Sequence, residues 1–334
     1  MPRSPITPRL PTHSPTPGVS AFILTAALLA AVQLVVDEPV LLLAERFVPG
    51  AGWAEIALLA VYAGWLADRL QRPGQWARLR TRVWLVFSAV FFGQLTLGLL
   101  GVERCLMTGE LHLPVPALVV GGPLYRGEGL FMPILLLSTL VLVGPAWCSW
   151  LCYIGAWDNV LARRARMGRP PSPRVREWTR FGLLVATVVL ALGLRWSGLD
   201  TLVAVLLAAT FGLAGVGVMA WVSRRRGWMA HCTAFCPLGW LVVRLGKLSP
   251  FRIGIRPSCV SCATCRPDCR FGALDREAWR RQRVHDSCTL CGDCLQTCGA
   301  LELRYGPLGD LASRRLLSVM VAALHAVFLG VARI

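Results

Sequence analysis

From Gly129 to Trp157 the chain carries no Asp, Glu, Lys or Arg. That uninterrupted stretch exceeds the roughly 20 apolar residues that carry a helix across a bilayer core of about 30 Å. Val83 to Val102 is a second uncharged stretch of spanning length, and Thr201 to Ser223 is a further clear span. Of 334 residues 55% are hydrophobic and only 16% charged, which excludes disorder and fits poorly with a soluble multidomain enzyme. The chain reads as a membrane protein.

Four weaker segments complete the pattern. Val19 to Val36 follows a Pro-rich tail carrying Arg3 and Arg9, as a signal peptide does. It is longer than an ordinary signal core, and no small-x-small cleavage site precedes Asp37-Glu38-Pro39, so an uncleaved span is expected. Trp53 to Ala67 has Glu55 near its start, Phe181 to Leu194 is short, and Leu316 to Ala332 comes after a polar segment. Gly129 to Trp157 is expected to protrude from the membrane at its last turns. Seven helices result, of which the second, fifth and seventh are the weakest.

The formal charge of +17 raises the question of nucleic acid. With the N-terminus in the cytoplasm, 30 of the 35 Arg and Lys fall on inner loops and tails, whereas acidic residues divide 10 inside and 8 outside. This is the positive-inside asymmetry of a bacterial inner-membrane protein, and it accounts for the basicity without a nucleic-acid partner. In the sixth span, Gly215-x-Gly217-x-x-Ala220 matches a dinucleotide-binding fingerprint in letters only. No strand precedes it, and small residues in a membrane helix serve close packing.

Twelve of 13 cysteines lie on or near the inferred cytoplasmic face, where thiols stay reduced and metal ligation is the better reading than disulfides. Eight form two arrays, Cys259-x2-Cys262-x2-Cys265-x3-Cys269 and Cys288-x2-Cys291-x2-Cys294-x3-Cys298, so that all four positions repeat at one fixed offset. This is the spacing of bacterial ferredoxins with two [4Fe-4S] clusters, in which the fourth cysteine of each array serves the other cluster. One cluster is then expected on Cys259, Cys262, Cys265 and Cys298, and the other on Cys288, Cys291, Cys294 and Cys269. A pair of four-thiolate zinc sites is the competing possibility. The flanks Phe251-Arg-Ile-Gly-Ile and Leu301-Glu-Leu-Arg-Tyr alternate like two short strands. Arg270 and Gly299 stand where a proline usually follows the fourth cysteine.

Two further pairs share a spacing: Cys148-Ser-Trp-Leu-Cys152 ends the fourth span and Cys232-Thr-Ala-Phe-Cys236-Pro237 follows the sixth. At i and i+4 of a helix the Cβ atoms stand about 5 to 6 Å apart, wider than a disulfide's roughly 3.8 Å. Redox thiols, four ligands for a further metal or cluster, and inert buried cysteine remain open. Cys105 lies on the outer side without a partner of its kind. His231 and His325 are possible metal or haem ligands, although a lone His is more often packed or hydrogen-bonded, and no c-type haem attachment motif occurs. Asp158 is a candidate proton acceptor or, equally, a solvated carboxylate at a helix end.

Together Cys148-Ser-Trp-Leu-Cys152 before an Arg-rich loop, Gly227-Trp228 leading to Cys232-x3-Cys236-Pro237-Leu238-Gly239, and the two arrays resemble the membrane ferredoxin subunit of quinol dehydrogenases, of the NapH type and the C-terminal half of NosR. The resemblance covers roughly Val83 to Tyr305. It implies an iron–sulfur electron-transfer protein that takes electrons from quinol and passes them through a periplasmic ferredoxin subunit or c-type cytochrome toward a respiratory reductase. Tyr153 replaces the proline expected after the first Cys-x3-Cys, two helices precede the shared core, and one follows it. A copper-handling accessory protein of haem-copper oxidases shares the Cys-x3-Cys-Pro and ferredoxin elements, so a metal reductase or assembly factor is a second expectation and a redox-sensing regulator a third. The expected fold is an all-α polytopic membrane domain of about six to seven transmembrane helices with a small α+β bacterial-type two-cluster ferredoxin domain. The expected boundaries are 1–248 for the membrane domain, 249–310 for the cytoplasmic ferredoxin-like domain and 311–334 for a last helix.

Overall fold

Lipid offers no hydrogen bonds to a backbone, so a spanning segment satisfies its own, and helices result. The structure is a computed structural model that describes residues 16–36, 40–106 and 113–331. Arg3, Arg9, Asp37-Glu38-Pro39 and Ala332 lie outside the described residues. Among the described residues the main helices are α1 (Thr16–Val35), α2 (Gly52–Leu70), α3 (Trp76–Leu99), α4 (Phe131–Val143), α5 (Tyr153–Ala162), α6 (Pro173–Ser197), α7 (Thr201–Val218), α8 (Leu238–Leu245) and α9 (Asp310–Val331). Two strands, β1 (Phe251–Ile255) and β2 (Leu301–Tyr305), fall on the two alternating segments.

Among the described residues, six segments are long and apolar enough to cross a membrane: α1, α3, Phe131–Trp150, α6, Thr201–Arg226 and α9. They give the mostly helical, multi-pass architecture expected. The anticipated second span is the helix α2, but it falls outside the six because Glu55, Asp68 and Arg69 lie near its ends. It still runs antiparallel along α1. The Gly18 N–H donates to Asp68 Oδ1 at 2.9 Å near one end, and Gly52 sits against Gln33 at the other.

The segment 129–157 is not one helix. Gly144 takes a positive φ of 61°, Pro145 follows, and the span ends at Trp150 before α5 starts a separate helix. A side chain at Gly144 would collide with Ser249, so this break seats the 144–146 turn on the 246–249 turn. The fifth span is longer than its uncharged stretch suggested. Ser172 caps α6, with Pro173 in its first turn, and Arg176 and Arg180 stay helical because their side chains find carbonyl acceptors.

Packing divides the chain into two units, residues 1–112 with 291–334 and residues 113–290. In the first, Leu29, Leu42, Ile56, Val327 and Val331 form a core among α1, α2 and α9. His325, offered above as a possible ligand, is packed here between the Tyr62 and Phe87 rings, with Tyr62 Oη 3.1 Å from its Nδ1. Cys105 is buried in a short turn. The second unit holds α4 to α8 and β1. The division falls between Leu290 and Cys291, inside the second array, because α3 grips the chain from Cys291 onward. The Trp76 Nε1–H donates to the Cys291 carbonyl at 2.7 Å, and Arg80 pairs with Asp293 through Nε–Oδ1 and Nη2–Oδ2 distances of 2.9 and 2.6 Å.

Candidate iron–sulfur and thiol site

The two arrays repeat in backbone as well as in spelling. Ser261 and Ala263 have φ of 54° and 63°; at the matching positions of the second array, Leu290 and Gly292 have 52° and 79°. Three hydrogen bonds recur in the same register. Cys259 N–H donates to Arg256 O and Cys288 N–H to His285 O; Arg266 N–H donates to Ala263 O and Leu295 N–H to Gly292 O; Gly272 N–H donates to Cys269 O and Leu301 N–H to Cys298 O. Each left-handed residue other than glycine costs about 1–2 kcal/mol. Alternating hands of the backbone turn successive N–H groups inward into the concavity that receives anionic centres such as iron–sulfur clusters. The loops therefore fit the group that eight cysteines at this spacing would hold.

Within the second unit, burial pushes the Cys269 thiol up to about 12, and Cys288 of the other array adds to the rise ahead of Cys265 of its own. Arg270, standing where a proline was expected, makes bonds no proline offers. Its Nη1 reaches the carbonyls of Ala162, Ala165 and Gly227 at 3.2, 2.9 and 2.6 Å, while its own carbonyl accepts from Met229. Arg176 holds the Phe271 and Gly272 carbonyls at 2.9 and 3.0 Å. The first array is thus bonded to the segment that leads from Met229 directly to Cys232.

The two Cys-x3-Cys pairs do not lie along a helix as expected. In each, the first cysteine sits on a helical turn, Trp147–Trp150 or the π turn His231–Phe235, while the second is extended and starts the next helix. Equivalent bonds recur in both pairs: Cys152 N–H to Trp147 O and Cys236 N–H to His231 O, then Gly155 N–H to Cys152 O and Gly239 N–H to Cys236 O. The thiol of Cys152 faces the N–H groups of Ile154 and Gly155, and that of Cys236 those of Leu238 and Gly239. The pairs are structural counterparts, and Tyr153 replaces proline without changing the local path.

All four thiols interact electrostatically, since Cys232 feels Cys148, Cys152 and Cys236. The buried guanidinium of Arg180, bonded to the Gly239 carbonyl, is near enough for its charge to act on Cys148, Cys236 and Cys232. Burial outweighs the helix-end N–H groups and pushes the Cys152 thiol up to about 12. Among the described residues, no three His, Cys, Asp or Glu side chains stand at the spacing of a single metal ion's shell. A mononuclear tetrathiolate would require sulfurs about 3.8 Å apart, given a Zn–S bond of about 2.3 Å in a tetrahedron.

Asp158 is not the solvated carboxylate that was one of its alternatives. It is fully buried, and its Oδ2 accepts the Cys232 N–H at 2.9 Å. Burial holds its carboxyl above the ordinary range, opposed chiefly by His231. Gly215 of the apparent dinucleotide fingerprint serves packing, since a side chain there would strike the His231 ring; Gly217 meets nothing. Trp76, Arg80, Arg176 and Arg180 escape notice in the sequence, because a charged or indole residue at a helix end carries no local sign of its distant partner.

Comparison with known proteins agrees with an iron–sulfur protein. A family described as a 4Fe-4S binding domain matches residues 125–170, the segment of Cys148 and Cys152 rather than of the two arrays. The chain is 28% identical over 207 residues to the methylamine utilization ferredoxin-type protein MauN of Methylorubrum extorquens, a match that spans 56% of this chain and 66% of that relative. No solved structure matches. The chain is similar to ferredoxin-type electron-transfer proteins and carries a 4Fe-4S domain within a bundle of membrane-length helices.

Proposed function

We propose that this protein oxidises quinol at the membrane and passes the electrons, through two [4Fe-4S] clusters, toward a respiratory reductase by way of a partner ferredoxin or c-type cytochrome, as the NapH-type resemblance implies. The observation that carries the reading is the repeat of the two arrays, position by position, in backbone conformation and hydrogen bonding. Oxidation of one hydroquinone releases two electrons and two protons, and two [4Fe-4S] groups, each a one-electron carrier, have capacity for the electron pair. Cys259, Cys262, Cys265 and Cys298 form one ligand set, and Cys288, Cys291, Cys294 and Cys269 the other. Arg270 and Arg176 fix the Cys269 loop, and Arg180 offers positive charge to the four thiols. The cation asymmetry supports a cytoplasmic ferredoxin segment in a bacterial inner membrane.

Anaerobically purified protein is expected to hold about eight iron atoms with matching acid-labile sulfide, and to lose visible absorbance when a quinol analogue is added. Cys269→Ser is expected to perturb the cluster of Cys288, Cys291 and Cys294. Zinc without sulfide would refute the cofactor, and copper-dependent activity without quinol oxidation would favour metal reduction instead.

A further inference from the structure

The two arrays share a backbone but not an environment. In the second, Thr289, Leu290 and Cys291 are 6%, 2% and 8% exposed. Their counterparts in the first, Val260, Ser261 and Cys262, stand open, with Val260 83% exposed. Both segments follow the same turn, so the difference lies in what covers them. Electron transfer slows steeply with distance, and a carrier arriving from solution can come close to the first array at an edge that the second does not offer.

The loops bonded to the first array are one-sided in charge. No Asp or Glu occurs from Asn159 to Arg176 or from Thr201 to Pro267. Gly168 N–H donates to the Arg226 carbonyl at 2.8 Å, and Arg266 Nη2 reaches the Gly168 carbonyl at 3.4 Å. Gly227, at φ +70°, leaves no room for a side chain against the Arg166 carbonyl. With the bonds of Arg270 to Ala162, Ala165 and Gly227, these two loops and the array are tied into one surface. On it Arg164, Arg166, Arg169, Arg224, Arg225 and Arg226 are exposed, whereas Asp268, the nearest carboxylate along the array, is only partly so. Orienting a chain in a membrane asks that cations lie near span ends; it does not ask that their loops be bonded to an iron–sulfur array. The planar fork of arginine pairs with carboxylates through two bonds at a time. An anionic headgroup would meet the same arginines, but the open edge of the array favours a protein that exchanges electrons, and weak electron-transfer contacts are small.

We propose that this face docks an acidic, soluble one-electron carrier protein, whose carboxylates pair with Arg164, Arg166, Arg169, Arg224 and Arg226 and whose redox centre comes against the edge formed by Val260, Ser261 and Cys262. The proposal deepens the reading above and rests on its clusters, not on quinol. One electron passes between carrier and cluster, one centre being oxidised as the other is reduced, with no bond made or broken and no proton taken up.

The test uses the full chain in lipid nanodiscs and, as probe, an acidic plant-type [2Fe–2S] ferredoxin. Oxidised ferredoxin is expected to protect the arginines of 163–169 and 224–226 from phenylglyoxal, read peptide by peptide by mass spectrometry. Reduced ferredoxin, freed of other reductant, is expected to bleach the clusters at a rate that falls about tenfold or more between about 0.02 and 0.3 M salt, as screening shortens the reach of the arginines. Arg166→Gln combined with Arg169→Gln and Arg226→Gln is expected to slow that reaction about tenfold and flatten its salt dependence, with dithionite-driven bleaching unchanged. Arg195→Gln, at the far end of α6, is expected to change neither. Should the triple variant fail to hold iron, Val260→Glu, which sets a like charge on the open edge, decides by the same readouts. Arginines left unprotected, with a rate indifferent to salt and to the variants, overturn the docking face and leave the clusters standing. Arginines already protected by phosphatidylglycerol in the nanodisc and unaffected by ferredoxin belong to lipid headgroups and overturn it as well. Wild-type protein without dithionite-reducible iron overturns the cluster reading itself.

Discussion

Asp293→Asn removes the counter-charge of Arg80 while preserving the shape of the site. The side chains of Arg80 and Asp293 are 0% and 3% exposed, so the guanidinium left behind has no water to turn to, although its contact with the Trp84 ring at 5.1 Å survives. Breaking one side of a buried pair costs about 3–5 kcal/mol. At about 1.36 kcal/mol per decade, the local equilibrium that exposes the second array should shift about 10²- to 10⁴-fold. The assay is the rate at which Cys291 and Cys294, both buried, are alkylated in anaerobically purified protein, read peptide by peptide by mass spectrometry. Cys236 serves as the internal control. The double variant Arg80→Leu with Asp293→Leu should recover most of the protection, because a pair replaced by apolar residues leaves no stranded charge. Alkylation of Asp293→Asn at the wild-type rate, or a double variant worse than either single one, would refute the reasoning.

Gly292→Ala should be severe, since φ is +79° and the new methyl would overlap the Trp76 indole nitrogen; iron content should fall toward half, with the remainder reducible. Gly306→Ala, at φ +53° with open space around it, should cost only about 1–2 kcal/mol and keep the full iron content. Reporter fusions after Arg166 and after Arg226 should be active only as cytoplasmic reporters, because the opposite orientation would move about 30 cations to the wrong side; active periplasmic reporters would overturn the orientation.

The long spans were legible because a run without charge has one stable destination. The limits of α6 were not, since Arg176 and Arg180 look like helix-ending loop residues until their acceptors at Phe271, Gly272 and Gly239 are known. The arrays were legible in spacing, and their backbone repeats with it. The equivalence of the Cys-x3-Cys pairs was hidden by Tyr153, because proline in the second pair marks a chain path that other residues also adopt. Asp158 and His231 each drew notice alone, but two spanning helices separate them in sequence and conceal that burial sets them side by side.

The first two turns of α3 hold the second array from Cys291 onward, Trp76 at the Cys291 carbonyl and Arg80 at the Asp293 carboxylate. Arg78, Arg80 and Arg82 fall in those same turns, and the uncharged stretch of the helix starts only at Val83. One unbroken helix therefore joins the grip on Cys291 and Asp293 to an apolar segment of membrane-spanning character, so a kink introduced between Arg80 and Val83 would disturb the array without altering either contact residue.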